Sequence, residues 1–240
     1  MVSTRSSWRR RGTARVRWPG TCDAWAIRSE IAITRIMKLY FTAASPYARL
    51  ARIVVVEKQL EGRVEFVLAQ TRVPDSPYYA INPSGRVPYL VCDDGTGLED
   101  SALICAYLDH LDGAPAFEAP PGRDGWDLRR LEALARSMLD GLSVWARESN
   151  RLEDERSPII IEHERQRSRR LAGLWENSEI DNPLMRGPIN MAQITLIAAL
   201  QMNRWKSVPE LREGHPKLSD WAERMSARPS IRATAPQPRQ

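Results

Sequence analysis

The apolar residues of this chain change their periodicity once, and the place of that change constrains the fold more than any other feature. Up to a segment holding Pro115, Pro120, Pro121 and Gly122, alternating and helical spacings follow one another; beyond it only helical spacing is found. Prolines and glycines in that number interrupt both periods. Residues 113–124 therefore read as a linker between a mixed region at 37–112 and an all-helical one at 125–235. With 240 residues, 42% of them hydrophobic, the chain suffices for one large domain or two small ones, each with its own core.

In the mixed region, Met37–Thr42 reads as a short strand, and Ser45-Pro46 opens a segment with Leu50, Ile53 and Val54 at helical spacing. Beyond Gly62, Val64, Phe66 and Leu68 alternate with Glu65 and Val67, which completes a βαβ unit. Pro88–Cys92 and Gly97–Glu99 flank Asp93-Asp94-Gly95, a hairpin signal, and Asp100-Ser101 precedes Leu103, Ile104, Tyr107, Leu108 and Leu111 at helical spacing. In the helical region, Leu128, Leu131, Leu134, Ala135, Met138, Leu139, Leu142 and Trp145 form one apolar stripe, and Leu171, Leu174 and Trp175 mark another helix. Asn190, with Gln193 three positions on, has the form of a capping box.

Three short elements carry chemistry. Ser45-Pro46-Tyr47 lies at a strand-to-helix junction, where free backbone N–H groups favour an anion such as a thiolate, although Ser45 read alone is first of all a helix cap. Pro88 opens a strand and is a candidate for a cis bond, which would turn the Val87 backbone toward an extended peptide ligand; a trans proline at a strand start is the plainer alternative. Asp100-Ser101 offers a carboxylate, a hydroxyl and a backbone N–H, groups that accept an ammonium and a carboxylate together or simply cap a helix.

In this order and spacing, over about residues 37–235, the chain resembles the glutathione S-transferases, and in its serine-containing Ser-Pro-Tyr motif the bacterial-type members. The resemblance rests on Met-Lys-Leu-Tyr with Ser45-Pro46-Tyr47-Ala48-Arg49, on Asn82-Pro-Ser-Gly-Arg-Val-Pro88, and on Glu99-Asp-Ser-Ala-Leu-Ile-Cys-Ala-Tyr-Leu-Asp109. His215-Pro216-Lys217-Leu218 and Arg228-Pro229-Ser230-Ile231 add to it. It implies a thioredoxin-like α/β domain followed by an all-α domain, and glutathione as co-substrate with no metal. It further implies activation of the glutathione thiol for attack on a hydrophobic electrophile, a role in detoxification, and a homodimer. Carried over by residue, it implies Ser45 as the catalytic hydroxyl, and Ser45, Arg49, Val87, Pro88, Asp100 and Ser101 as the glutathione site, with Arg86 a weaker candidate. Tyr47, Met138, Trp145 and Arg147 would face the electrophile. The chain departs from the family pattern at Asn190 and Ala192-Gln193, where a Ser or Thr cap followed by Ala-Asp is usual. Ser45 and Ala48 replace both cysteines of the related glutaredoxin motif, which excludes dithiol exchange. Tyr40, a rival activator, falls two residues too early and reads as a sheet residue. A non-catalytic interaction module of the same fold, or a glutathione-dependent peroxidase or isomerase, are the competing functions.

The charge does not point elsewhere. A net +5 and a pI near 9.4 suggest a nucleic-acid partner. Residues 1–36, however, hold eight arginines against Asp23 and Glu30, a net of +6, which leaves −1 for the remainder. That Arg-rich, acid-poor arm fits a transit peptide or an upstream extension, and the clean strand beginning at Met37 favours a dispensable extension. No stretch has the ~18 consecutive apolar residues of a membrane span. Three cysteines without metal or disulfide spacing fit a reducing cytoplasm.

Overall fold

Four strands close into one sheet, in the order β2-β1-β3-β4. β1 (Met37–Phe41) runs parallel to β2 (Val64–Leu68), while β3 (Tyr89–Val91) is antiparallel to both β1 and β4 (Gly97–Glu99). The structure, a computed structural model, describes residues 36–204, 211 and 213–236. The basic arm expected to be dispensable therefore lies outside the described residues.

The crossover from β1 to β2 is α1 (Pro46–Glu57), begun by the Ser45 cap and by proline at the first helical position. Its face of Leu50, Ile53 and Val54 is fully buried, as its spacing predicts. A short α2 (Tyr78–Ile81) precedes β3, and α3 (Ser101–His110) follows β4 and packs on α1. β2 departs from the expected alternation. Only Val64 is buried; Leu68 is 70% exposed and Phe66 lies at the surface, because β2 is an edge strand. Phe66 instead packs edge-on against Phe41, and the Arg52 guanidinium covers both rings.

The helical region comprises α4 (Trp126–Ser149), α5 (Pro158–Asn177), α6 (Met191–Leu200), α7 (Pro216–Ser226) and α8 (Pro229–Ala233). Every residue of α6 is buried, and the helix packs on both α4 and α1. A single cluster of apolar side chains thus extends from Met37 in β1 to Ile231 in α8. Each fully buried Leu or Ile contributes about 1.5–3 kcal/mol, so this shared core, rather than helix propensity, holds the helices in place. The Asn190 box is half formed. Asn190 Oδ1 accepts from Gln193 N at 3.1 Å, but the Gln193 side chain donates to the Leu184 carbonyl rather than back to the cap.

Polar anchors reinforce the apolar contact. The buried carboxylate of Asp109 accepts the backbone N–H groups of Ala116 at 2.9 Å, Phe117 at 2.9 Å and Glu118 at 3.1 Å, and Lys58 Nζ stands 3.4 Å away. The turn after α3 is thereby fixed, and the Phe117 carbonyl accepts from Met191 at the start of α6. Glu57 pairs through two contacts with Arg228, at 3.1 and 2.9 Å, and also accepts from Ser230. Burial opposes ionisation of Glu57, yet these partners outweigh it and hold its carboxyl below the ordinary value.

Removing the Asp109 carboxylate leaves three backbone donors and part of the Lys58 charge without their acceptor. Asp109→Ala is expected to cost about 3 kcal/mol or more in urea unfolding. Asp112→Ala, which removes the more exposed partner of Lys58, should cost less than about 1 kcal/mol.

Candidate functional site

The pairing register puts three separate chain segments at one end of the sheet. Tyr40 of β1 pairs with Tyr89 of β3, which pairs in turn with Glu99 of β4. The chain leaves β1 toward Ser45, enters β3 from Val87-Pro88, and leaves β4 into Asp100-Ser101. With strands about 4.8 Å apart, the row covers roughly 10 Å, close to the length of an extended three-residue peptide.

At one side of this row, Ser45 caps α1 and its Oγ accepts from Ala48 N at 3.1 Å. A hydroxyl that accepts in this way still has a hydrogen to donate, and no acceptor among the described residues takes it. In the middle, the Val87-Pro88 bond is cis, the alternative that the sequence left open, and Val87 enters none of the paired positions of the sheet. The loop before it is built around buried Asn82, whose side chain donates to the Arg86 carbonyl at 3.0 Å and accepts from Ser84 N at 3.1 Å. Arg86 itself is exposed. At the far side, Asp100 caps α3, its Oδ1 accepting from Ala102 N at 2.8 Å and Leu103 N at 3.3 Å. Its φ of +82° is a strained value for a non-glycine residue, of the kind retained at ligand sites.

α4 completes the site from the helical region. Arg136 Nη1 lies 3.4 Å from Ser101 Oγ, and the Tyr47 hydroxyl donates to Asp140 Oδ1 at 2.6 Å. Burial, and next the bond to Asp140, push the Tyr47 phenol up to about 12, so it stays protonated at neutral pH. Arg136 and Asp140 are absent from the sequence-based site. Their signal was a second stripe on α4, with Arg136, Asp140, Ser143 and Arg147 spaced four, three and four residues apart beside the apolar one.

Three expected positions are corrected. Arg49 is only 3% exposed, and its guanidinium binds Gln201, the Ile231 carbonyl at 3.1 Å and Thr234 at 3.4 Å; it ties α1 to the C-terminal helices rather than facing a ligand. Met138 and Trp145, at 0% and 2% exposure, belong to the core side of α4 and do not face an open electrophile site. Tyr47 lies at the border between α1 and α4, and Arg147 is exposed on the same face of α4 as Asp140, two turns further on. Tyr40 packs on Tyr78, with ring centroids 5.5 Å apart, as a sheet residue does. Cys92 and Cys105 are buried and unpaired, and burial pushes both thiols up, so neither is a reactive thiolate.

Residues 39–116 match the family model of the glutathione S-transferase N-terminal domain. Glutathione S-transferase 2 of Saccharomyces cerevisiae is 30% identical over 208 residues, which cover 82% of this chain and 88% of that protein. The chain belongs to the glutathione S-transferase family. An uncharacterized GST-like protein of Escherichia coli, YibF, is 28% identical over 83% of this chain and 98% of its own length. The crystal structure of a glutathione S-transferase from Methylobacillus flagellatus, solved with glutathione bound, superposes with a TM-score of 0.73 at 29% identity, covering 84% of this chain and all of that one. The family-model match contains every element of the row, from Ser45 to Ser101.

Gly85, with φ +66°, makes the turn that leads into Val87-Pro88, and a Cβ there would meet the Tyr79 ring at 2.8 Å. Gly85→Ala is expected to lower stability by about 1–2 kcal/mol in urea unfolding. Gly62→Ala, where φ is not positive and nothing lies within 4 Å, should change it by less than about 0.5 kcal/mol.

Proposed function

We propose that this chain is a glutathione transferase, which binds glutathione across the β1–β3–β4 end of the sheet and activates its thiol for attack on an electrophile. The observation that carries this reading is the row itself, which brings a hydroxyl at a helix N-terminus, a backbone segment outside the sheet pairing and an acidic cap with a serine together over the length of a tripeptide. In this reading Val87 pairs with the cysteinyl backbone beside Pro88. Asp100 accepts the γ-glutamyl ammonium, and Ser101 binds its carboxylate. Ser45 donates its uncommitted hydrogen to the sulfur.

A free thiol has a pKa of about 8.5, and lowering it by two units takes about 2.7 kcal/mol of preferential thiolate stabilisation. One hydroxyl hydrogen bond to a charged acceptor, with the N-terminus of α1 behind it, is of that order. The thiolate then forms a carbon–sulfur bond as the leaving group departs with its electron pair. The family further supports a homodimer, built by a two-fold contact between one subunit's first region and its partner's helices.

Ser45→Ala should lower kcat/KM for a haloarene by about tenfold or more and raise the pKa of its pH profile, because the thiolate loses a donor while the glutathione anchors stay. The cap is lost too, at about 1 kcal/mol of stability, so the comparison belongs well below the unfolding midpoint. Unchanged kinetics would remove Ser45 from the reaction. Asp100→Asn should instead weaken glutathione affinity, read by calorimetry, more than it slows turnover. A parallel assay with a hydroperoxide separates transfer from peroxidase activity.

A further inference from the structure

On the polar stripe of α4, the exposed guanidinium of Arg147 leaves most of its hydrogen-bonding capacity unused. Arg147 donates from Nε to the Ser143 carbonyl at 3.1 Å, while its Nη1 and Nη2 have no hydrogen-bond partner among the described residues and the side chain is exposed. A guanidinium in this state offers a planar pair of donors to a carboxylate or a similar oxyanion.

Two contacts along the same helix fix where that fork stands. Arg136 meets Ser101 at the start of α3, and Asp140 meets Tyr47 at the start of α1. At 1.5 Å of rise per residue, Asp140 lies about 6 Å and Arg147 about 16 Å along the axis from Arg136. α4 therefore runs past the γ-glutamyl end of the row first and past the Ser45 end next. Arg147 comes last, beyond the position of the sulfur. Arg147 follows Asp140 by seven residues, two turns on the same face of α4, so it stands on the side of the helix that meets Tyr47. Asp140 is already engaged by Tyr47, and half-buried Val144 lies on α4 between it and Arg147.

From this arrangement we infer that Arg147 selects electrophiles bearing an anionic group, such as a carboxylate, on the side away from the reacting carbon. The inference rests on the transferase reading and names the substrate class of that same site. Arg147 binds and orients; in the substitution the glutathione sulfur forms the new carbon–sulfur bond, chloride or another leaving group departs with the bonding electrons, and the guanidinium exchanges no proton.

The test compares 4-chloro-3,5-dinitrobenzoate with neutral 1-chloro-2,4-dinitrobenzene, using the full chain, Arg147→Met and Arg147→Lys. It also measures binding of the two corresponding glutathione conjugates by calorimetry, which needs no turnover. The expected result is that Arg147→Met lowers the ratio of kcat/KM for the anionic over the neutral substrate by about tenfold. The preference for the anionic conjugate should fall in parallel, and Arg147→Lys should retain much of both. Turnover and conjugate binding whose ratios stay within about twofold in Arg147→Met would overturn this inference and leave the transferase reading standing. Discrimination between conjugates that depends on Arg147, without turnover of either substrate, would uphold Arg147 as the group that binds the anion but overturn the transferase reading, and with it the selection of electrophiles. Failure of both conjugates to bind would overturn the two together.

Discussion

The register of β3 between β1 and β4 is the constraint on which the rest of the site depends. Because Tyr40, Tyr89 and Glu99 form one row, the segments that follow β1, precede β3 and follow β4 all emerge at the same end of the sheet. A shift of one residue would turn every side chain of β3 to the opposite face, moving fully buried Leu90 out of the core. The burial of Leu39 and Leu90 on one side of the sheet therefore fixes the position of Val87 and Asp100 on its edge, although neither residue contributes to that core.

α4 joins this edge to the helical region through two stripes with different duties. Its apolar stripe, including Leu131, Met138 and Leu142, packs on α6 and is held by the common core. Its polar stripe projects toward the starts of α1 and α3, where Arg136 and Asp140 make their contacts. Rigidity in the first stripe gives precision to the second, since a side chain on a packed helix is held more closely than one on a loop. Arg49, Asp109 and Glu57 serve the same end by fixing α1 and the turn after α3 against the C-terminal helices.

Three local irregularities meet at this end of the sheet. Asp100 holds a left-handed backbone, the bond before Pro88 is cis, and Ser45 leaves a hydroxyl hydrogen uncommitted. Left-handed backbone also occurs away from that edge, at Gln59, Arg72 and Asp75, while prolines begin α1, α5, α7 and α8 and side-chain oxygens cap α1, α3, α5 and α6. What sets the edge apart is that a left-handed cap, a cis bond and an uncommitted hydroxyl meet within one row, a clustering that fits a binding site.

The sequence by itself determined the order of elements, the βαβ–ββα and helical regions, and the caps of α1, α3 and α6, because periodicity and capping are short-range properties of the chain. It also marked Ser45, Val87, Pro88, Asp100 and Ser101 as a set through their spacing. Which side of a helix meets which neighbour was decided by tertiary structure alone. Arg49 sits one turn from Ser45 yet points away from the row into contacts with residues more than 150 positions distant, a separation that no local pattern reports. Met138 and Trp145 belong to the same helix as Asp140 and Arg147, but a rotation of about 100° per residue puts the first pair in the core and the second on the opposite face, where Asp140 meets Tyr47 and Arg147 is exposed. The exposure of Phe66 and Leu68 likewise follows from β2 being an edge strand, and edge status is a property of strand order that alternation within one strand does not contain.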